Sequence, residues 1–394
     1  MDQQLIVGVD IGKSTHYASV IDSTGKQLGG AIKFGNSQKG AALLLERIAS
    51  VNKANVPVVF GLEATGHYWL ALYSFLKEKG YALYVINPYQ SDAWRKMVLS
   101  STKTDKEDAY IIADIIRFGH VTETKLADET LVALRNITRF KVALNQQMTD
   151  TKRRIITVMD QIFPEFESLF SDMFGKTART LLSALSTPEA LDAISIEQVT
   201  KLVIKTSRGR FRKEKAEEIK QKASSSFGIT FALDSFTLEV ELLLKQLSFV
   251  EDQIETVEKK IEELMKSQSS ILTTLPGVGV QLAAAIIAEI GDIKRFRTSA
   301  QLVSYAGIDP TVRQSGNFVG TQNRMSKKGS PYLRLALWQA ATTSIRFNPV
   351  LKTYYETKIT QGKSKMTALG AVTRKLTGII FSMLKHNKPF ISSV

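Results

Sequence analysis

A run of apolar residues with heptad spacing constrains the fold of this chain more than any other feature. Its members are separated alternately by four and three residues: Phe236, Val240, Leu243, Leu247, Val250, Ile254, Val257, Ile261 and Leu264. This spacing predicts a long helix with one apolar seam, as in a coiled coil. A weaker series precedes it: Leu144, Met148, Thr151, Ile155, Val158 and Ile162. We therefore predict two long helices that pair with each other, with partner protomers, or with both.

The residues between the two series, 164–234, are expected to form a smaller helical insert containing the basic string SRGRFRKEK. We predict the coiled-coil region as a whole over residues 126–270. It would separate an N-terminal domain, residues 1–125, from a C-terminal domain, residues 271–394. Apolar stripes with this spacing are typical of packing surfaces rather than cofactor sites.

The N-terminal domain has the pattern of a mixed sheet. Three short strands are predicted in residues 5–35, from the strings LIVGVDI, YASVID and QLGGAIKF. Helices are predicted around residues 40–50, 67–79 and 106–118, alternating with the strands VPVVFGLE and YALYVIN and a turn at Asn87-Pro88. Thr104 or Asp105 is placed to cap the last helix. The pattern predicts an α/β fold in the order expected of a ribonuclease-H-like domain.

The C-terminal domain is expected to be mainly α-helical. Its first segment, ILTTLPGVGVQLAAAIIAEIGDI, predicts two helices broken at LPGVG and resembles a helix-hairpin-helix. Gly277 and Gly279 would then present backbone N–H groups beside a helix N-terminus, a feature that binds DNA phosphate without reading sequence. A plain helical turn is the alternative.

The positive charge of the chain is concentrated near its C-terminal end. Residues 310–394 hold 14 Lys and Arg against one acidic residue, Glu356, whereas the preceding 309 residues hold 38 basic and 37 acidic side chains. The same region has helical apolar patterning, so it is expected to be folded rather than a solvated tail. A folded surface of one sign indicates a polyanionic partner, and nucleic acid is the partner we expect.

Composition excludes several kinds of site. The chain has no cysteine, so disulfides, thiolate zinc sites and cysteine nucleophiles are excluded. The histidines are widely scattered, which argues against a histidine zinc site: His16, His67, His120 and His386. Any catalytic metal is therefore expected to have oxygen ligands, as Mg²⁺ or Mn²⁺ does. The N-terminal residues do not resemble a secretory signal, and a cytoplasmic location is expected.

Acidic residues at four positions form a candidate metal site. Asp10 lies within the first predicted strand, and Glu63 follows a later strand. Asp105 and Asp108 begin a predicted helix, where their spacing places both on one face. Because burying an unpaired charge is costly, Asp10 is expected to be paired or metal-bound. Two divalent ions held by these residues would activate a nucleophile and stabilise the leaving oxygen at a phosphodiester.

The same N-terminal stretch, VGVDIGKSTHYASVIDSTGKQL, also looks like the first phosphate loop of actin-like sugar kinases and ATPases. Those folds need a second phosphate loop and a later Gly-rich adenosine segment. The sequence contains neither, and that hypothesis leaves the basic C-terminal region unexplained.

These motifs together resemble the insertion-sequence 110 family of transposases, which join a RuvC-like domain to a serine-bearing transposase domain. The N-terminal motifs are GVDIGKS, GLEATGHY and TDKEDA, and the C-terminal ones are LPGVG, YAGIDP, the Ser315-Gly316 pair and SKKGSPYLRLAL. The likeness covers most of the chain. It implies that Asp10, Glu63, Asp105 and Asp108 stand at the family's metal-ligand positions. Gly329-Ser330 departs from the pattern, in which Gly is followed by Asn or a similar residue.

The resemblance also implies that Ser315 is the nucleophile. Cations surround it in sequence, and we expect them to bind nucleic acid: Arg313, Arg324, Lys327, Lys328 and Arg334. Cationic donors hold a scissile phosphate and offset charge in the transition state. No histidine lies near Ser315, so the metal site would have to reach the serine through folding or assembly. Ser326 is the next candidate.

The family implies DNA transfer through a phosphoserine intermediate, aided by magnesium and guided by an RNA that the element encodes. It also implies a homo-oligomer, a dimer or tetramer, whose active sites combine domains of different protomers. Two alternatives stay open at this point. One is a RuvC-like junction endonuclease that uses the carboxylates alone, and the other is a non-catalytic scaffold that binds nucleic acid.

Overall fold

The first strand of the chain lies at the centre of a five-stranded sheet because it is apolar on both faces. The strands are β1 (Leu5–Asp10), β2 (Thr15–Ile21), β3 (Ile32–Gly35), β4 (Val58–Glu63) and β5 (Ala82–Ile86). Their spatial order is β3-β2-β1-β4-β5. β2 pairs antiparallel with β1 and β3, whereas β4 runs parallel to β1 and β5. The predicted meander and mixed α/β sheet are confirmed, in the order expected of a ribonuclease-H-like domain.

The structure is a computed structural model. It describes residues 4–64, 66–97, 104–119, 129–267, 270–311, 314–315, 318–319 and 324–391. For residues 89, 314, 315, 318 and 319 it describes the backbone alone. The chain divides into two compact units, Met1–Leu126 and Ala127–Val394.

Helices cover both faces of the sheet in the first unit. They are α1 (Gln38–Val51), α2 (Trp69–Glu78), α3 (Pro88–Met97) and α4 (Asp105–Arg117). α1 and α2 pack on the face that carries Leu5, Val7 and Val9. α4 packs on the opposite face, against Ile6 of β1 and its neighbours. The alternation of side chains along β1 therefore assigns each residue to one of two helical layers.

α4 lies unusually close to the sheet because two strand residues lack side chains. A Cβ on Gly8 would overlap backbone atoms of Ala109 and Ala113, and a Cβ on Gly61 would overlap the side chains of Ile112 and Ile116. Glycine inside a strand weakens it but permits close approach of another element. These two glycines therefore fix how near α4 approaches the centre of the sheet.

The predicted turn at Asn87-Pro88 is the start of a helix, α3, which the sequence analysis did not predict. Pro88 is the first residue of α3, where its fixed φ and missing N–H suit the first helical turn. The backbone N–H of Asn87 donates to Gln90 Oε1 (3.3 Å), and the Asn87 carbonyl accepts from Gln90 N (2.7 Å). An Asn-Pro pair followed by Gln is thus a helix start here.

Eleven named helices and a short hairpin make up the described part of the second unit. The helices are α5 (Glu129–Ile162), α6 (Lys176–Ala184), α7 (Pro188–Ala193), α8 (Ile196–Ser207), α9 (Lys213–Ser224), α10 (Leu233–Ser267), α11 (Val280–Ile290), α12 (Ser299–Tyr305), α13 (Pro331–Phe347), α14 (Pro349–Thr360) and α15 (Lys365–His386). Short 3-10 helices occur at Pro164–Leu169, Ile271–Thr274 and Ile293–Arg295. The hairpin strands are β6 (Gln314–Ser315) and β7 (Phe318–Val319).

The two long helices, α5 and α10, pack antiparallel along each other. The start of α5 shares a core with the end of α10, through Leu134 and Ile261, and the end of α5 shares one with the start of α10, through Ile162 and Val240. Every residue of the predicted seam is buried or half-buried. The predicted pairing of these helices with each other is therefore seen, whereas supercoiling and pairing between protomers stay predictions.

The cores of the second unit are built around the two ends of this helix pair. α6 to α9 pack at one end, where Arg179 of α6 binds Glu251 of α10 through two hydrogen bonds of 2.5 and 2.6 Å. α11 to α15 pack at the other end, in one core with Leu144 and Met265. This core continues across the domain boundary predicted at residue 270. Within the described residues, no helix has the length and apolar character needed to span a bilayer.

The close approach at Gly8 predicts the effect of one added methyl group. We expect Gly8→Ala to lower the free energy of unfolding by about 3 kcal/mol, because α4 must move off β1 to relieve the overlap. Urea unfolding measures the change. The control is Gly30→Ala, since Gly30 has open space at its Cβ and should change stability by less than about 0.5 kcal/mol. Equal stability of the two variants would contradict the proposed packing constraint.

Candidate active site

Asp10 and Glu63 lie side by side at the carboxyl ends of two neighbouring strands. In the parallel register of β1 and β4, Gly8 aligns with Gly61 and Val9 with Leu62. Asp10 and Glu63 follow as the last residues of their strands. Residues two apart point to the same face, so both carboxylates share the face on which Gly8 and Gly61 contact α4. The sequence analysis placed Asp10 within the first strand. In the structure Asp10 is the last residue of that strand.

α4 brings the other two acidic residues to the same face. Ala109 packs against Gly8, and Asp105 lies one turn closer to the helix N-terminus, in the direction of the strand ends. Thr104 caps the helix, because its hydroxyl accepts from the backbone N–H of Glu107 (3.3 Å). Acidic residues in a first turn also favour the helix dipole. Asp108 is buried, whereas Asp105 is exposed.

The electrostatic state of Asp10 reflects this grouping. Burial, followed by repulsion from Glu63, Asp108 and Asp105, raises the pKa of Asp10 from 3.8 to about 6. A backbone hydrogen bond from Ile11 opposes the shift. Perturbed carboxyl groups with several like-charged neighbours are typical of functional sites. The predicted candidate ligands are therefore close enough to interact strongly.

Two residues of α3 hold these carboxylates in place, and the sequence analysis missed both. The Ser91 hydroxyl donates to Glu63 Oε1 (2.6 Å), and the Arg95 guanidinium donates to Asp108 Oδ1 (2.5 Å). Ser91 and Asp108 are almost fully buried. The available signal was Asn87-Pro88, because a helix start at that pair places Ser91 and Arg95 on α3, four residues apart.

The donor set suits a hard divalent cation, although the ligands do not converge here. Four carboxylates supply only oxygen atoms, which are the ligands that Mg²⁺ and Mn²⁺ prefer. Among the described residues, no three His, Asp or Glu side chains already form a metal-binding group. The bond from Arg95 to Asp108 accounts for part of this, since it occupies an oxygen that a metal would use. Asp10 retains an unfavourable charge that a cation would relieve.

Ser315 lies in a short hairpin whose base is well anchored. β6 and β7 are antiparallel, with Ser315 opposite Phe318. Below them, Thr311 N donates to Arg324 O (2.7 Å), and Ser326 Oγ donates to Asp309 Oδ1 (2.6 Å). The Ser315 side chain lies outside the described atoms. Ser326, the alternative nucleophile, is engaged in the hairpin base.

The predicted phosphate-binding cations occupy different environments. Arg324, Lys327 and Lys328 are exposed, close to the hairpin base. Arg334 is half-buried on α13, and its guanidinium donates to the carbonyl of Ala306 (3.2 Å). Arg313 lies outside the described residues. Three of the predicted cations are therefore available to solvent, whereas Arg334 has a structural contact.

The LPGVG segment is attached to α13. A Cβ on Gly277 would overlap Ser344, and the Thr343 hydroxyl donates to the Gly277 carbonyl (2.6 Å). Gly277 is therefore explained by packing and by its φ of +92°. Gly279 caps α11 and has open space at its Cβ. The helix before the break is the 3-10 helix Ile271–Thr274. A helix-hairpin-helix and phosphate binding by this segment stay predictions.

The departure at Gly329-Ser330 has a local explanation. A Cβ on Gly329 would overlap the carbonyl of Tyr305. Ser330 caps α13 by accepting from Leu333 N (3.1 Å), and its hydroxyl donates to Glu289 Oε2 (2.8 Å). Glu289 is buried in α11 and also binds Arg139 of α5 at 2.6 and 3.0 Å. Serine at this position therefore caps α13, a role that asparagine can also fill.

Two family models match the chain, one over each region that carries candidate residues. A model of IS110 transposases, described as "Transposase", matches residues 7–164. A second, described as "Transposase IS116/IS110/IS902 family", matches residues 269–356. The chain belongs to the IS110 family of transposases. It is therefore an enzyme that cleaves and rejoins DNA, which excludes the non-catalytic scaffold considered from sequence.

Similar proteins match this IS110-family chain over nearly its full length. The "Insertion element IS110 uncharacterized 43.6 kDa protein" of Streptomyces coelicolor is 25% identical over 98% of this chain and 95% of its own. The "Insertion element IS900 uncharacterized 42 kDa protein" of Mycobacterium paratuberculosis is 28% identical over 98% and 97%. The "Pilin gene-inverting protein" of Moraxella bovis is 24% identical over 98% and 97%.

A solved structure of T. thermophilus RuvC with a Holliday junction substrate also matches this IS110-family transposase. The match covers 31% of this chain and 99% of that one, at 14% identity and a TM-score of 0.23.

The raised pKa of Asp10 predicts how its removal alters stability without metal. Because the folded pKa is raised above 3.8, ionised Asp10 destabilises the fold as pH rises through about 6. In EDTA at about pH 8, we expect Asp10→Asn to be more stable by about 1 kcal/mol, after discounting for partial solvent exposure. The gain should vanish below about pH 3, where Asp10 is protonated in both the folded and the unfolded state.

Thermal unfolding of both proteins at the two pH values measures this effect. Asp22→Asn is the control, since hydrogen bonds from Thr24, Lys26 and Gly25 lower the pKa of Asp22, and removing its charge should bring no gain. An Asp10→Asn variant less stable than the parent at the higher pH would refute the electrostatic account.

Proposed function

We propose that the chain transfers DNA strands through a phosphoserine at Ser315, assisted by divalent metal at Asp10, Glu63, Asp105 and Asp108. The main support is the gathering of the carboxylates on one face of the sheet, where burial and the charges of the other three raise the pKa of Asp10. Mg²⁺ bound there would stabilise charge on the attacking and leaving oxygens of the phosphodiester. Mn²⁺ would serve equally, because it takes the same ligands.

The proposed reaction keeps the number of phosphodiester bonds unchanged. The Ser315 hydroxyl attacks phosphorus, its Oγ forms the new P–O bond, and the bond to the leaving strand breaks. The leaving oxygen takes up a proton and becomes a hydroxyl. A hydroxyl of the partner strand then attacks the phosphoserine and releases Ser315. Arg324, Lys327 and Lys328 are placed near the hairpin base to hold the phosphate while this occurs.

An RNA partner and a homo-oligomer complete the proposal. The family implies an element-encoded guide RNA, and the surplus of cations after Pro310 suits a second nucleic acid. Ser315 and the carboxylates belong to different compact units. A dimer or tetramer would allow one protomer to supply the serine and another the metal site.

A covalent protein–DNA adduct is the expected signature of this mechanism. Purified protein with Mg²⁺, labelled junction DNA from the element's ends and its flanking RNA should give a Mg²⁺-dependent adduct on a denaturing gel. Ser315→Ala should lose strand transfer by at least about a thousandfold, and Asp10→Asn should lose it as well. Ser326→Ala is the control, because its hydroxyl is bound to Asp309, and it should still form the adduct.

Other products would identify the alternative mechanism. Free DNA ends, no adduct and full cleavage by Ser315→Ala would leave a junction endonuclease that uses the carboxylates alone.

The bond between Arg95 and Asp108 predicts a gain in metal affinity on its removal. Arg95→Gln frees Asp108 Oδ1 and removes a positive charge beside the proposed site. We therefore expect Mn²⁺ to bind about tenfold more tightly, measured by isothermal titration calorimetry. Arg47→Gln is the matched control, since Arg47 is exposed on α1, and should leave affinity unchanged. If Arg95→Gln binds Mn²⁺ no better than the parent, Asp108 is not a ligand in competition with Arg95.

A further inference from the structure

A basic groove runs between α13, α14 and α15 in the second unit. Its volume is about 790 Å³, and its cations and aromatic residues are Lys358, Lys363, Arg374, Lys375, Trp338 and Tyr354. Glu356 is the one acidic residue in the sequence after Pro310. In the described structure, Lys358 and Lys375 contact Tyr354 and Gln361 rather than a carboxylate. The groove therefore carries positive charge that the described residues do not neutralise.

The charges lie around an aromatic centre. Lys375 Nζ is 4.3 Å and Lys358 Nζ is 5.2 Å from the centroid of the Tyr354 ring. Both Tyr354 and Trp338 are half-buried, so their rings are held by the helices but remain partly open. Cations that line a groove together with partly exposed aromatic side chains are the combination that binds single-stranded nucleic acid. Duplex DNA is read differently, by elements that project into its grooves.

The helix that lines this groove is open to close approach. Gly370 and Gly378 lie inside α15, where glycine is a poor helix former. A Cβ on Gly378 would meet no atom within 4 Å, and one on Gly370 would make only an ordinary contact with Trp338. The packing of the chain therefore does not require glycine at either position. Their absence of side chains leaves space for a strand close to the helix backbone.

The groove also adjoins the hairpin that carries Ser315. Ile308, Pro310 and Met325 form part of its lining, and Pro310 pairs with Met325 at the hairpin base. The groove therefore begins beside the base of the hairpin that carries Ser315.

We propose that this groove binds the single DNA strand that flanks the scissile phosphate. The choice of DNA rests on the proposed role of Ser315. The contacts are to phosphates and base faces, so binding is expected to be insensitive to sequence.

Fluorescence anisotropy with a labelled oligothymidylate of about 12 nucleotides tests the proposal on the full chain. Lys363→Gln/Arg374→Gln should weaken binding about tenfold and reduce the salt dependence of log K by about 0.7 per cation. Lys352→Gln/Lys388→Gln is the control, because both lysines are exposed outside the groove lining and the charge change is equal. Failure of the parent to bind, or equal losses in both double variants, would overturn the proposal.

A steric variant tests the same groove without altering charge. Gly378→Leu should weaken binding by about tenfold, while leucine favours the helix more than glycine does. Ser382→Leu is its control, since Ser382 is exposed one turn further along α15 and outside the groove lining. Circular dichroism of both variants establishes that the helices are retained. Unchanged binding by Gly378→Leu would show that the strand does not lie over α15.

Two further probes identify the strand. An oligouridylate and a DNA duplex of the same length should bind less tightly and respond less to the groove substitutions. A larger response with either probe would overturn the assignment to single-stranded DNA. Binding by Ser315→Ala separates this proposal from the proposed function, because the groove should hold DNA without a nucleophile. If the adduct is missing but the groove still binds DNA, the phosphoserine mechanism is refuted and the groove proposal is not.

Discussion

The arrangement of the first unit depends on the contact between α4 and β1 at Gly8. Because neither Gly8 nor Gly61 has a side chain, α4 approaches the central strands closely, with Ala109 of its second turn against Gly8. That placement joins Asp105 and Asp108 to the strand-end carboxylates. The cost is electrostatic, since like charges brought together and partly desolvated repel one another. Burial, followed by this repulsion, raises the pKa of Asp10.

The second unit also contains a buried carboxylate, but this one is fully paired. Glu289 is buried in the apolar helix α11, where an unpaired carboxylate would be strongly destabilising. Arg139 binds both of its oxygens, and Ser330 donates to one of them while capping α13. The pair thus ties α5 and α11 to the start of α13, next to the hairpin base. One buried charge thereby links the long helix pair to the serine-bearing region.

The two units present opposite electrostatic environments for one reaction. The carboxylates of the first unit repel one another, and a bound cation would relieve that repulsion. The C-terminal helices of the second unit carry cations with few acidic residues near them in sequence. The proposed strand transfer would use both, because the phosphate must be held and charge must be offset on the reacting oxygens. In the first unit, Arg95 forms a salt bridge with Asp108 and so balances one of the negative charges. Such a pair would help a carboxylate site tolerate the absence of metal.

Periodic and local signals in the sequence determined the main helices and strands and the positions of the acidic residues. Heptad spacing predicted the buried faces of α5 and α10, alternation predicted the meander of β1 to β3, and the acidic motifs identified residues that do lie near Asp10. Contacts between residues distant in sequence were decided only by the tertiary structure. Arg95 reaches Asp108, and Glu289 reaches Arg139, because packed helices meet at angles and depths that no local pattern encodes. The groove has the same origin, since its charges come from separate helices.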